Sequence, residues 1–415
     1  MLTNNTRYDL SDNLIHFFRS IDEESDNCPR LPEMFGWDSD EMREKPLSPF
    51  FLLRNAIRYG KLWAGWSHRK GQHTIYGNDS AVCFTDMPIP AFIEAGIARS
   101  QKEEAMSPYG LVFRKSKLRR LGAKSAIYGL EETPRIHHDD HGRRFIDSTQ
   151  LAPLEQYRFV SHFQTESKNV DWTHEREWRW PLRNGQLYES DKVLDMDEFE
   201  GLDLDDPRLS EIGVIVKNTE QAKKIERDIL MKYDRGDVSR RHFSFVLALD
   251  EIESISSLKD PEILERILTA CRVDIASYLI VPEEVRTEIL SAADMIVKEI
   301  NHTTPLVQAR ERGGCWLWLT DNTHIVTRAF LTTPHVKISK NGKYLVRINR
   351  FDPSRDLRQR EEMTQRFAEK LMEKFGVNCG FFSVVNSNNP DDVPFHHGAS
   401  DTSNYTNVSY NPEDY

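Results

Sequence analysis

The sequence predicts an α+β protein of more than one domain, and three observations lead there. The chain has 415 residues, more than one hydrophobic core usually organises, so two or three domains are expected. Up to about residue 258, apolar runs of strand length alternate with helical periodicity. No glycine-rich phosphate loop joins a strand to a helix there, which favours α+β over a doubly wound dinucleotide fold. Beyond that point the pattern turns helical, then changes to hairpin-like strands around one long amphipathic helix. The expected organisation is a mixed sheet with helices over 1–258, a helical connector over 259–308, a smaller α+β domain over 309–395 and a polar tail over 396–415.

The elements follow in order. LIHFF, residues 14–18, is an apolar strand, and a polar, proline-bearing segment runs from it to Pro49. FFLLRNAIRYGKLWAGW opens with helix-like apolar spacing. SAVCFTDMPIPAF reads as a strand over 81–85 that Pro88 and Pro90 break. YGLVFRKSKLRRLGA gives a strand and turn, AIYGL a short strand, and EREWRW another strand. After the acidic connector ESDKVLDMDEFEGLDLDDPRLSE come the strand IGVIVK, the helix NTEQAKKIERDILMKY and the strand FSFVLAL. Residues 261–300 read as helical. CWLWLTDNTHIVTRAFL and KISKNGKYLVRI read as strands, the second folded at Asn341-Gly342. RDLRQREEMTQRFAEKLMEKFG is an amphipathic helix ended by Gly376, and CGFFSVV is a last strand.

Composition narrows the class. The formal net charge of -11 argues against a wholly basic nucleic-acid coat but leaves room for a local basic face. Five cysteines, Cys28, Cys83, Cys271, Cys315 and Cys379, are widely spaced and never form a CxxC pair. That spacing fits a reducing compartment rather than a disulfide frame or structural zinc site. With no basic stretch leading into an apolar run at the start and no long apolar span, a cytoplasmic protein is expected.

The densest chemistry lies in VDWTHEREWRWPL, residues 170–182. As one strand it would put Val170, Trp172, His174, Arg176, Trp178, Trp180 and Leu182 on one face, and Asp171, Thr173, Glu175, Glu177 and Arg179 on the other. The second face is either a solvated Glu–Arg ladder or the floor of a cleft. In a cleft, a fixed carboxylate beside a packed aromatic layer would suit cleavage of the N-glycosidic bond of NAD, where charge builds on an oxocarbenium-like ribose. The other carboxylate would orient or deprotonate an acceptor. His16, inside LIHFF, is either a satisfied core histidine or a donor to a ribose hydroxyl. Thr85 lines such a cleft or, with Asp86, forms a turn, and Tyr109 stacks on a ligand ring or packs.

HHDDH, residues 137–141, lacks the i,i+4 spacing of a helical metal motif and reads as a solvated loop, so no metal is expected. RGDVSRRH, residues 235–242, has an arginine-to-histidine spacing found in some RNases, a spacing too permissive to argue from. Between positions 310 and 374 there are 14 Lys+Arg against 8 Asp+Glu, a local excess inside an acidic chain. Lys337, Lys340, Lys343, Arg347 and Arg350, interleaved with Tyr344 and Phe351, form either a nucleic-acid face or ordinary solvated surface.

The order LIHFF, AVCFTDMPI, YGLVFRKS, HEREWRW and IGVIVKNTEQAKKIERDI resembles that of AbiGi-like abortive phage-infection domains with a Glu-x-Glu-Trp-Arg signature, over roughly residues 10–250. Those domains are distantly similar to the ADP-ribosyltransferase fold. The resemblance implies an ADP-ribosyltransferase-like mixed sheet and a bacterial anti-phage effector that binds NAD and transfers ADP-ribose or hydrolyses the cofactor. Glu177 or Glu175 would be the catalytic carboxylate, while His16, Thr85, Tyr109 and Arg179 would line the NAD site. The Ser-Thr-Ser triplet of one branch of that fold is absent. Two alternatives stay open: a non-catalytic, antitoxin-like protein that senses phage nucleic acid or protein, and an RNase. The C-terminal region would be an accessory domain, through which a nucleic acid or a phage or host protein would be contacted.

Overall fold

A computed structural model describes residues 10–22, 47–69, 72–102, 104, 106–164, 169–170, 173–183 and 200–399. Cys28, Asp171, Trp172, most of the acidic connector and tail residues 400–415 lie outside the described residues. The chain is a mixed α and β protein that divides into two units, residues 1–225 with 241–273, and residues 226–240 with 274–415.

The first unit is organised by a seven-stranded sheet. Its elements are β1 (Asn13–Phe17), α1 (Pro49–Tyr59), β2 (Ser80–Thr85), α2 (Ile89–Ser100), β3 (Gly110–Arg114), α3 (Lys115–Arg120), β4 (Lys124–Ser125), β5 (Glu177–Leu182), β6 (Ile212–Val216), the start of α4 (Thr219–Arg235), β7 (Phe243–Ala248) and α5 (Pro261–Ala270). The strand order is β7-β6-β3-β1-β2-β5-β4, antiparallel except for the parallel β6–β7 pair. Ser48 caps α1 by accepting from the Phe51 amide, and Gly60 ends it at φ 69°.

Prolines that were expected only to break β2 also open a helix. Pro90 sits in the first turn of α2, where its missing N–H has no intrahelical partner to lose. Phe92 and Ile93 of α2 pack on Ile15, Val112, Ile215 and Leu247 to form the core of one sheet face. Gly110 permits this approach, since a Cβ there would lie 2.9 Å from Ile15 Cγ2 and 3.2 Å from Phe92 Cζ. One register row crosses four strands, joining Val112, Ile15, Thr85 and Glu177. Residues in such a row share a face.

The second unit holds the last part of α4, together with α6 (Ile275–Tyr278), α7 (Glu283–Thr303), β8 (Gly313–Leu319), α8 (Ile325–Leu331), β9 (Val336–Ile338), β10 (Tyr344–Arg347), α9 (Leu357–Phe375), β11 (Cys379–Val385) and β12 (Phe395–His397). Its sheet order is β9-β10-β8-β11-β12. One face packs Leu317, Leu319, Tyr344 and Val346 against Ile289, Val297 and Ile300 of α7 and Phe367 and Leu371 of α9. The other carries Trp316, Trp318, Leu345, Phe382 and Val384. The Trp316 ring lies over Gly314, where a Cβ would fall 2.0 Å from its Cη2.

The expected connector is therefore divided. Leu264, Ile267 and Leu268 of α5 pack into the core of the first unit, whereas α7 supplies a side of the second unit's core. CWLWLTDNTHIVTRAFL is a strand only to Leu319 and then turns into α8. The hairpin at Asn341-Gly342 and the Gly376 stop of α9 are as the sequence indicates: Ser339 donates to the Lys343 carbonyl at 3.0 Å, and Gly376 adopts φ 70°. No helix among the described residues is long and apolar enough to cross a membrane.

Candidate functional site

The strand expected over the Glu-x-Glu motif starts only at its second glutamate. Thr173–Glu175 is a turn of 3-10 helix, and Arg176 takes φ +48°, a conformation that L residues other than Asn and Asp seldom adopt. The backbone there is held from both sides. Arg176 donates to the Thr173 carbonyl at 3.1 Å, and its own carbonyl accepts from Asp86 at 3.0 Å. Alternation therefore applies from Glu177 onward, with Glu177 and Arg179 on one face and Trp178, Trp180 and Leu182 on the other. His174, Glu175 and Arg176 do not belong to either set, and Trp172 lies outside the described residues.

Glu177 is fixed by Arg179. The guanidinium donates from Nε to Oε1 at 2.8 Å and from Nη2 to Oε2 at 3.1 Å, and Nη1 donates to the carbonyls of Tyr157 at 2.6 Å and Phe159 at 3.2 Å. Burial would push the Arg179 guanidinium down, but the charge of Glu177 outweighs it and holds the group above its ordinary value. The Arg179 side chain is 5% exposed and that of Glu177 is 20%, so the carboxylate meets solvent while its counter-ion does not. The Glu177 amide donates to the Tyr128 phenol at 2.6 Å. Burial, with Glu177 adding to it, pushes the neighbouring Cys83 thiol well above its usual range, leaving it an inert thiol.

Glu175 is oriented separately. Arg99 Nη1 reaches its Oε1 at 2.6 Å, and Arg99 Nε binds Glu104 at 2.8 Å. Thr85 ties the two segments together: its hydroxyl donates to the Glu175 carbonyl at 2.7 Å and accepts from the Met87 amide at 3.2 Å. Thr85 thus lies on the Glu177 face, but its hydroxyl is engaged in the turn.

His16 and Tyr109 lie elsewhere, which corrects the expectation of one cleft. His16 follows Ile15, so it points to the face opposite Glu177 and packs edge-on to Phe84 at 5.8 Å and Phe18 at 5.0 Å. Its Nδ1 is 2.9 Å from the Cys83 carbonyl and must carry the proton, because a carbonyl only accepts. Tyr109, joined to Phe18 by a backbone bond, is buried against Phe50 of α1, and its phenol shares a hydrogen bond with Gln221. A ligand on the Glu177 face would touch neither residue.

Burial pushes the His16 imidazole down from 6.5 to about 4. The unfolded chain therefore takes up this proton near pH 6.5 while the folded protein resists it until about pH 4. His16 contributes full stability above pH 6.5 and loses it as the pH falls through that window, by an amount on the order of 3 kcal/mol. In His16→Gln the amide still donates to Cys83 and does not titrate. The stability gap between wild type and variant, measured by urea unfolding, is expected to change between pH 7 and pH 4.5, and a constant gap would contradict this account.

The C-terminal basic set is also dispersed. Lys337 and Arg347 pair across the sheet with Leu345 and Trp316, which puts them on the same face as Lys343, as their common parity indicates. That face is largely closed. Lys343 is buried, with its ammonium 5.6–5.8 Å from the rings of Phe395, Trp318 and Phe382. Lys337 lies 4.0 Å from Asp391, Arg350 binds Asp294 at 2.7 Å, and the Lys340 amide donates to Asp391 at 2.7 Å. Arg347, on the strand, and Lys340, at the turn, are exposed, and neither side chain has an ion pair among the described residues. His137 and His138 lie on an exposed strand of a hairpin closed by an Asp139–Arg143 pair. Arg235 pairs with Asp237, and His242 is buried with its ring against the Leu204 carbonyl.

The sequence reading did not single out a buried polar network in the second unit. Arg328 of α8 grips Asp234 through Nη1–Oδ2 at 2.6 Å and Nη2–Oδ1 at 2.8 Å, each side chain 5% exposed. Tyr344 donates to Asp234 at 2.7 Å, and Asn322 donates to Tyr344 at 3.0 Å and to the Arg227 carbonyl at 2.9 Å. A cavity of about 510 Å³ opens on the pair, walled by Tyr233, Val238, Leu279 and Leu331. The signal was an arginine inside the apolar run IVTRAFL, which needs a buried partner.

The family described as "Protein of unknown function (DUF4427)" matches residues 285–408. The match takes in Asn322, Arg328 and Tyr344, and it leaves Asp234, Glu177 and the rest of the first unit outside. No curated protein and no solved structure matches the chain.

Proposed function

We propose that the first unit binds NAD and cleaves its N-glycosidic bond beside Glu177, passing ADP-ribose to an acceptor or to water, as an effector of bacterial anti-phage defence. The observation that carries this reading is a carboxylate held at both oxygens by a buried arginine, yet still 20% exposed. Such a group needs no reorganisation to meet positive charge developing on a ribose. The ADP-ribosyltransferase-like character of the mixed sheet belongs to the same proposal. In it, Glu177 stabilises the oxocarbenium-like ribose, Glu175 orients or deprotonates the acceptor, and Arg179 positions Glu177 without touching substrate. His16 and Thr85 hold strands in place, and Tyr128, bonded to the Glu177 backbone, is a better neighbour for the ligand than Tyr109.

The second reading, a binding protein without catalysis, is favoured by one fact: Arg99 and Arg179 neutralise Glu175 and Glu177 within the chain. Incubating the full chain with NAD separates the two. Nicotinamide release, or an ADP-ribosylated macromolecule, is the expected result. If neither appears and NAD does not raise the melting temperature, the NAD proposal fails and the binding reading stands.

A further inference from the structure

We propose that the α3 edge of the first unit is a docking surface for the phosphodiester backbone of a nucleic acid, independently of the NAD reading. Arg114, Lys115, Lys117, Arg119, Arg120 and Lys124 fall within eleven residues that contain no acid, in a chain of net charge -11. The three lysines are already engaged. Lys115 binds Asp86 at 2.6 Å, Lys117 binds Glu211 at 2.8 Å and the Ser210 carbonyl at 2.5 Å, and Lys124 binds Glu155 at 2.9 Å. Lys117 and Lys124 accordingly hold the Glu211 and Glu155 carboxyls below the usual range.

The three arginines are less engaged, although Arg114 adds its charge to that of Lys117 in holding the Glu211 carboxyl down. Arg114, Arg119 and Arg120 are exposed and have no ion pair among the described residues, Arg120 only reaching back to the Ser116 carbonyl at 3.3 Å. Their planar guanidiniums, more weakly hydrated than an ammonium, suit phosphate oxygens. Arg114 ends β3, and from Lys115 to Arg120 the helical rise is about 7.5 Å, which corresponds to about two phosphates along one strand of a duplex. Trp178 lies half-buried beneath the same edge, with the Lys115 ammonium 5.8 Å from its ring.

The edge is built for a polyanion rather than for a protein. Its exposed residues are Arg114, Ser116, Arg119, Arg120, Gly122 and Lys124, while Leu118 and Ala123 point inward. A protein interface normally has an apolar centre, and none is presented here. The C-terminal hairpin, whose Lys343 is enclosed by aromatic rings, is the weaker candidate.

The test is binding of the full chain to short labelled single-stranded RNA, single-stranded DNA and duplex DNA over a range of salt. At least one of these is expected to bind at low salt, with log K falling against log salt at a slope of about −2 to −3. Arg114→Glu with Arg119→Glu and Arg120→Glu is expected to weaken binding more than tenfold. The corresponding Arg→Gln triple variant, milder for folding, is expected to flatten the slope by two to three units, both variants being checked by circular dichroism and melting. Lys337→Glu with Arg347→Glu is expected to bind as wild type. The proposal is overturned if the wild type binds none of the probes at low salt, if the α3 variants bind undiminished, if the hairpin variant loses binding, or if polyglutamate competes as well as nucleic acid.

Discussion

Glu177→Gln is expected to lower NAD cleavage about 10²- to 10³-fold while leaving the fold in place. Gln keeps the shape of the side chain and one acceptor for Arg179, and Arg179 keeps the Tyr157 and Phe159 carbonyls. What is lost is the negative charge that the proposed NAD reading sets against the ribose, which matters most in the transition state, so kcat should fall more than KM rises. Glu175→Gln is the informative partner. Glu175 lies before the strand and is tied to Arg99, so its loss should reduce transfer of ADP-ribose to an acceptor more than its transfer to water, nicotinamide leaving in both cases. Wild-type activity in a folded double variant carrying both changes would refute catalysis by this strand. A variant that melts many degrees lower would instead report the buried guanidinium of Arg179 left short of charge, and the melting curve separates the two.

The parts of this site that were legible in the sequence were local. Alternation along β5 sets Glu177 and Arg179 on one face and Trp178 and Trp180 on the other, and the strand shows that arrangement. The break at Arg176 was not legible, because a positive φ in a residue without a glycine's freedom is imposed by bonds from Asp86 and Thr173. Nor could alternation within LIHFF say on which side of the sheet His16 would stand relative to Glu177. That depends on the Ile15–Thr85 and Thr85–Glu177 registers, which tertiary packing sets. The shared parity of Lys337, Lys343 and Arg347 was readable in the same way, but not the aromatic enclosure of Lys343 by Trp318, Phe382 and Phe395, which arrive from three other strands. In α2, the prolines were read as an end to β2, and the helix they begin was missed because a proline in a first turn and a proline after a strand look alike.

Asp234→Ala is expected to destabilise the second unit by about 3–5 kcal/mol, since it leaves the Arg328 guanidinium buried without its counter-charge. Arg328→Met should cost a similar amount by stranding Asp234, which would keep only the Tyr344 hydroxyl. Tyr344→Phe removes one hydrogen bond to the carboxylate and one acceptor for Asn322, and should cost about 1–3 kcal/mol. Joining Asp234→Ala with Arg328→Met removes both charges from a site walled by Val238, Leu279 and Leu331, so the pair should be less damaging than the sum of the single changes. Urea unfolding of the four variants measures this directly. Strict additivity would mean that the two side chains do not depend on one another, and a cost below about 1 kcal/mol for Asp234→Ala would place the pair among ordinary surface salt bridges. Either result would contradict a buried, bidentate pair that anchors α8 to the end of α4 within this unit.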